Sequence, residues 1–299
     1  MDFSRLFGLL FMIIWLTLAV MVLGPQAQAQ NAKGTNLEQE EIASGEGIVQ
    51  AGGNSEEDLA KASQNPVADL VSLPLQNNTN FEFGPREKTQ NVLNVQPVIP
   101  FNLTSEWNLV TRTIIPVISQ PGFTPGQDRK EGLGDINTTL FLSPAKPGKL
   151  IWAVGPIVVF PSATDERLGT EKWSAGPSVA GLAIHGPWVV GVLANNVWSF
   201  AGDSDRDDVN AFLLQYFINY NLPQGWYLTS SPIITANWEA DSDNTWTVPV
   251  GAGFGKLTRV GKVGLPIDVQ LQGFYNVEKP DDLGPDWSIR FQVKFLFPK

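Results

Sequence analysis

The chain has 299 residues, a formal net charge of −10 and 17% charged side chains, below the ~25% of typical soluble domains. It has no cysteine and one histidine, which excludes a disulfide framework, a thiolate metal site and a cysteine nucleophile, and argues against a multi-histidine metal centre. The acidic balance argues against nucleic acid, whose phosphates select basic surfaces; no metal or cofactor is expected.

Residues 1–29 have the plan of a secretory signal peptide. Arg5 precedes an almost wholly apolar run over 6–23, Gly24-Pro25 breaks it, and Ala27-Gln28-Ala29 supplies a small-x-small cleavage site. The alternative is an uncleaved anchor, since the run is long enough to span a bilayer. Residues 30–65 are polar, with seven acids against two bases and no sustained apolar period. They read as an acidic flexible segment, or as a binding arm. Residues 66–76 are more apolar (PVADLVSLPLQ) and fit an N-terminal plug inside a lumen, a cover over one end, or part of a first strand.

From about residue 79 the pattern changes to alternation with a period of two. In 287–297 the odd positions Trp287, Ile289, Phe291, Val293, Phe295 and Phe297 are large and apolar, while Ser288, Arg290, Gln292 and Lys294 lie between them. A helix would scatter these residues around its circumference, whereas a strand sorts them onto two faces. Twelve such segments are expected: 77–84, 89–101, 106–119, 132–143, 150–160, 172–184, 187–200, 209–221, 226–239, 245–256, 265–278 and 286–297. The connections alternate between two sets, as antiparallel hairpins require. One set carries Lys146, Lys149, Arg259 and Lys262 without an acid. The other carries Asp165, Glu166, Asp203, Asp205, Asp207, Asp208, Asp241, Asp243, Asp281 and Asp282. The acidic set fits either solvated loops or a surface facing lipopolysaccharide through divalent cations.

Tryptophan placement selects the environment. Trp107, Trp152, Trp188 and Trp226 stand next to the basic-end turns; Trp173, Trp198, Trp238, Trp246 and Trp287 stand next to the acidic-end loops. An indole has an apolar body and one donor, so it prefers a border between oil and water. Trp188 and Trp198 lie on one expected strand and one face. Ten residues at ~3.3 Å, tilted ~40°, rise about 25 Å, the height of the apolar band of an outer-membrane barrel. A sheet in hydrocarbon cannot leave an edge unpaired, so the expected fold is all-β, a transmembrane antiparallel up-and-down barrel of about 12 strands, spanning 66–299.

In the terminal segment 290–297, Arg290, Phe295 and Phe297 match the signal read by the barrel-assembly machinery, while Gln292 stands where that pattern has Gly. Residues 65–80 (NPVADLVSLPLQNNTN) followed by 89–107 (TQNVLNVQPVIPFNLTSEW) resemble the outer-membrane family associated with meta-pathway phenol degradation, whose members are often labelled transporter or neuromedin U. The resemblance covers roughly 65–299. It implies a bacterial outer-membrane barrel, reached by signal-directed export, that passes small, aromatic or hydrophobic solutes. Its partners would be outer-membrane lipids, lipopolysaccharide and the assembly machinery.

Even positions of the last strands share the face opposite Trp287, which places Asp268, Gln270, Arg290, Gln292 and Lys294 in the lumen, with Arg112 opposite Gln96. About a loop centred at Asp282, Gln272 is expected opposite Gln292 and Gln270 opposite Lys294. Such residues either pair and fill a narrow interior, or form a charged ring of Arg112, Arg290 and Lys294 with Asp268 and Asp135 that selects solutes. A passive channel or transporter, not an enzyme, is the leading expectation. A lipid hydrolase would need a histidine and a serine at the outer rim, whereas His185 falls in a tight turn at the opposite end. A closed structural barrel is the third reading.

Overall fold

The computed structural model describes residues 56–262, 264–281 and 283–298. The expected signal peptide (1–29) and the acidic stretch over 30–55 lie outside the described residues. The strands in chain order are β1 (Val71–Phe83), β2 (Lys88–Val95), β3 (Val98–Asn102), β4 (Trp107–Gln120), β5 (Lys130–Leu133), β6 (Asn137–Pro144), β7 (Leu150–Val159), β8 (Lys172–His185), β9 (Trp188–Gly202), β10 (Asn210–Asn221), β11 (Trp226–Ser230), β12 (Ile233–Asn237), β13 (Trp246–Val260), β14 (Leu265–Glu278) and β15 (Trp287–Phe297). They form a closed antiparallel barrel of twelve staves.

Fifteen segments make twelve staves because three staves are interrupted. The β2–β3 stave breaks at Gln96-Pro97 and the β11–β12 stave at Ser231-Pro232, where proline brings no N–H to the ladder. Register runs through both breaks unchanged: Val95 faces Ile115 and Val98 faces Arg112. The β5–β6 stave is bulged. Leu133 faces Val117, yet Asn137 faces Ile114, a one-residue slip that restores the inward face after the bulge. Each expected segment corresponds to one stave. The first begins six residues earlier than expected, at Val71, so 71–76 belong to the wall and not to a plug. Closure is made by β1 on β15, from Val71 opposite Phe297 to Phe81 opposite Trp287.

β1 begins and β15 finishes at one end, called the near end. The connections there are short, and the one between β8 and β9 is His185-Gly186-Pro187-Trp188, with Gly186 at φ 55. The far end carries the long connections, including 121–129, 160–171 and 279–286.

Burial alternates along the staves with the large apolar side chains outside. Val190, Val192, Leu228, Phe254, Leu271, Ile289 and Phe291 are exposed, whereas the positions next to them, such as Val189, Leu193, Gln272, Arg290 and Gln292, are buried. In water that arrangement would be unfavourable; against hydrocarbon it is the stable one. Outward polar groups bond to one another: Asn77 donates to Asn91 at 2.8 Å, and the Thr113 and Thr138 hydroxyls are 3.0 Å apart. The tryptophans form two belts. At the near end Trp107 meets Trp152, Trp188 meets Tyr220 and Trp226 meets Phe254; at the far end Phe81 stacks on Trp287, Phe160 meets Trp173, and Trp238 contacts Phe212 and Trp246. Trp198 is exposed on the same face of β9 as Trp188.

Val192 sits on the outer face of β9 between those two indoles. Val192→Lys is expected to lower stability in phospholipid bilayers by about 2–4 kcal/mol, read by equilibrium denaturant unfolding in liposomes. Replacing exposed Lys149 in a near-end turn by Gln is expected to change it by less than ~0.5 kcal/mol.

Candidate functional site

Residues 56–70 lie across the near mouth of the barrel. Helix α1 (Glu56–Ser63) has Glu56, Glu57 and Asp58 in its first turn and Lys61 in its last, a charge order that suits the helix dipole. Eight residues are too few for a stable isolated helix. Packing supplies the rest: Ala60 and Leu70 are buried with Leu257 of β13 and Leu296 of β15. Pro66 ends the helical run, and the Val67 N–H bonds the Asn65 side chain at 3.0 Å. Val67 then enters a second apolar cluster with Val98, Val110, Phe141, Leu182, Val189, Leu193 and Phe217. The segment therefore touches opposite arcs of the wall. The helix corrects the reading of 30–65 as wholly flexible: its apolar residues are too few for a periodic signal, and the barrel wall orders them.

Polar contacts latch this segment. The Ser63 hydroxyl donates to Asp268 Oδ2 at 3.2 Å, and Lys294 Nζ donates to the Ser63 carbonyl at 2.6 Å. Gln64 and Asn221 exchange amide bonds at 2.9 and 3.2 Å. Asp268 is 1% exposed. Its other oxygen accepts from the Tyr227 hydroxyl at 2.7 Å, and Lys294 Nζ stands 3.9 Å away. Gly255 makes room for that tyrosine, because a Cβ there would lie 2.2 Å from its ring. Gly251 of the same strand likewise lies against the Phe274 ring, where a Cβ would come within 2.8 Å.

The expected lumen residues come together with one exception. Arg112 faces Val98, not Gln96 as expected, and reaches Gln96 diagonally, its Nη2 donating at 3.0 Å. Gln270 bonds both Tyr227 and Gln272. Arg290 donates to Asn78 at 2.9 Å and to the Ser231 carbonyl at 2.7 Å, with its guanidinium 4.8 Å from the Phe274 ring centre. Gln292 and Lys294 share this face. Their cross-strand partners differ from expectation by two residues: Gln272 faces Arg290, Gln270 faces Gln292 and Asp268 faces Lys294. A two-residue slip keeps every side chain on its face. Asp135 does not join the ring. It lies in the β5–β6 bulge and accepts from the Thr170 N–H and hydroxyl at 2.7 and 2.9 Å and from the Ala163 N–H. The one-residue slip there turned it toward the 160–171 connection. Tyr227, Ser63 and Asn221 were missed. Tyr227 is opposite in parity to Trp226, so its inward direction follows from the belt; the Ser63 and Asn221 contacts join residues far apart in sequence.

Two cavities follow. A vestibule of about 1290 Å³ opens toward the far end, lined by Ile114, Ile157, Val197, Asn195, Thr235 and the 205–208 loop. An inner chamber of about 140 Å³ lies between the wall and residues 62–70. Gln76, Gln96, Arg112, Leu193 and Gln215 border both. At the far rim, ion pairs tie the loops together. Lys130 stands 2.5 Å from Asp165 and Lys172 3.3 Å from Asp208, and each lysine holds its partner carboxyl below the ordinary range, mainly through the hydrogen bond. Arg206 bonds the Glu166 and Gly169 carbonyls. No cluster of three metal-ligating side chains occurs among the described residues.

No family model matches the chain, and no curated protein matches it significantly. Solved structures do. The COG4313 outer membrane channel from Pseudomonas putida F1 aligns over 78% of this chain and 97% of its own, at 15% identity and a TM-score of 0.58. That likeness establishes a shared barrel fold. Outer membrane phospholipase A from Escherichia coli (13% identity, 80% and 97% covered) and a FadL homologue from Pseudomonas aeruginosa (10% identity, 79% and 93% covered) align with TM-scores of 0.41 and 0.40, too low to inform on function.

Removing the latch carboxylate tests the assembly. Asp268→Ala leaves Lys294 without its counter-charge and Tyr227 and Ser63 without their acceptor. It is expected to destabilise the barrel by about 3 kcal/mol, measured by denaturant unfolding in detergent, and to open Lys61 to tryptic cleavage that the parent resists.

Proposed function

We propose that the protein is an outer-membrane channel for passive uptake of small solutes with an apolar body, and that it belongs to the family associated with meta-pathway phenol degradation. The observation that carries the reading is the lumen: a vestibule of about 1290 Å³ narrows onto Arg112 and is closed beyond it by residues 56–70. One arc of the inner wall carries an apolar cluster, and the other is mostly polar. Such a surface accommodates an amphipathic solute better than a sugar or an inorganic ion. Residues 56–70 are the element whose position sets conductance. The outer belt faces lipid, and the acidic far-end loops face lipopolysaccharide. Phe295 and Phe297, opposite Leu73 and Val71 on the closing strand, present the pattern that an assembly machinery reads after export.

A lipid hydrolase is the weaker reading. His185 is exposed in the two-residue near-end turn, and no hydrogen bond joins its side chain to a serine among the described residues.

In planar bilayers the full chain is expected to show small conductance. Deleting residues 56–70 is expected to raise it at least threefold, and Arg112→Ala to shift the reversal potential in a salt gradient toward cation preference. Liposome swelling with aromatic acids, sugars and amino acids reads solute choice. Absence of flux in both the full chain and the deletion would establish a closed barrel; hydrolysis of phospholipid abolished by His185→Ala would establish the enzyme.

A further inference from the structure

The inner chamber holds an excess of positive charge. Arg112, Arg290 and Lys294 line it against one carboxylate, Asp268. Asp268 is already engaged by Tyr227 and Ser63 and lies beside Lys294. The two arginines have neutral partners only: Gln96 for Arg112; Asn78, Ser231 and the Phe274 ring for Arg290. Neither has a carboxylate within 4.0 Å among the described residues. Buried cations without counter-charge are unfavourable unless an anion joins them. Unused hydrogen-bonding groups surround the same space. Among the described residues the buried Thr229 hydroxyl has no partner, and Gln76 and Gln292, facing each other across β1 and β15 and each 8% exposed, make no side-chain hydrogen bond.

We propose that this chamber is a binding site for a small organic monocarboxylate whose body is no larger than one ring. The carboxylate pairs with the Arg112 guanidinium, which can offer two parallel N–H donors, and the side-chain amides of Gln76 and Gln292 complete its shell. The body lies against Leu193 and Phe217, which line the same chamber. Size supports the ligand class. The chamber measures about 140 Å³, close to the ~150 Å³ cavity that admits benzene, and it continues into the vestibule past Arg112. Charge separates a carboxylate from a neutral phenol or alcohol of the same shape. The apolar wall separates it from inorganic phosphate. The inference rests on the channel reading for its delivery route but not for its chemistry.

The test is calorimetric titration of the detergent-solubilised full chain with benzoate, benzyl alcohol, benzylamine and inorganic phosphate. Saturable 1:1 binding of benzoate is expected, with benzyl alcohol at least tenfold weaker and benzylamine and phosphate without measurable binding. Arg112→Gln is expected to weaken benzoate at least tenfold, and Lys149→Gln, in an exposed turn, to leave it unchanged. Equal affinity for benzoate and benzyl alcohol in the unaltered protein, or no saturable benzoate binding, overturns the proposal whether or not the arginine variant folds. Flux in liposomes without benzoate binding removes this site and leaves the channel. Benzoate binding without flux keeps the site and removes the channel.

Discussion

A backbone that crosses hydrocarbon must satisfy its own N–H and C=O groups, because no water is there to do it. The consequences are visible from β1 to β15. The sheet has no free edge: β15 is zipped to β1 over eleven residue pairs, from Val71 opposite Phe297 to Phe81 opposite Trp287. At Pro97 and Pro232 the ladder pauses without losing register. Outward polar side chains obey the same constraint, and Asn77, Thr79 and Asn91 bond among themselves.

Closure with twelve staves leaves a narrow interior, and that interior is filled unequally. On the arc from β3 to β10 an apolar cluster of Val, Leu, Phe and Ala faces inward, with Arg112, Thr139, Ser143, Ser178 and Asn219 among it. On the arc formed by β11, β14, β15 and β1 they are Tyr227, Asp268, Gln272, Arg290, Gln292 and Asn78. A purely polar filling would pair with itself and seal the barrel; a purely apolar one would pack solid. The mixed filling leaves space between unlike walls, and residues 56–70 meet both: Ala60 and Leu70 on Leu257 and Leu296, Val67 on the opposite arc, Ser63 on the Asp268–Lys294 pair. Glycine contributes to the fit, since Gly255 cedes to Tyr227 the volume its own side chain would occupy.

Much of this was legible before any coordinates, for a physical reason. Alternation in 287–297 is forced when one face meets lipid and the other a lumen, and indoles ten residues apart on β9 record the thickness of the belt. Both signals are local, so all twelve staves and the facing of Arg112, Asp268, Arg290 and Lys294 could be read. Features set by non-local contact could not. Gln272 faces Arg290 rather than Gln292 because a loop of uncertain length sets register, and a slip of two leaves the pattern intact. The turn at Ser63, the inward reach of 56–70 and the start of β1 at Val71 depend on a wall assembled from residues two hundred positions away. Asp135 is the instructive failure: alternation assigned it to the lumen, and a single extra residue in the bulge carried it out to Thr170.

The same bulge shows how the two ends came to differ. At the near end the turns are short, such as 185–188, and two neighbouring side chains, Asp268 and Lys294, hold one serine through its hydroxyl and its carbonyl. At the far end, bulges and long loops are tied by ion pairs, Lys130 with Asp165 and Lys172 with Asp208, which in water are individually weak. On the proposed route a solute arriving from the far end meets the acidic loops first, then the vestibule, and finally guanidinium groups with no carboxylate partner among the described residues. Unpaired positive charge is thus concentrated where residues 62–68 stand between the chamber and the near mouth, which is where the proposed anion would be held. In the proposed channel, passage and retention would depend on the same few side chains.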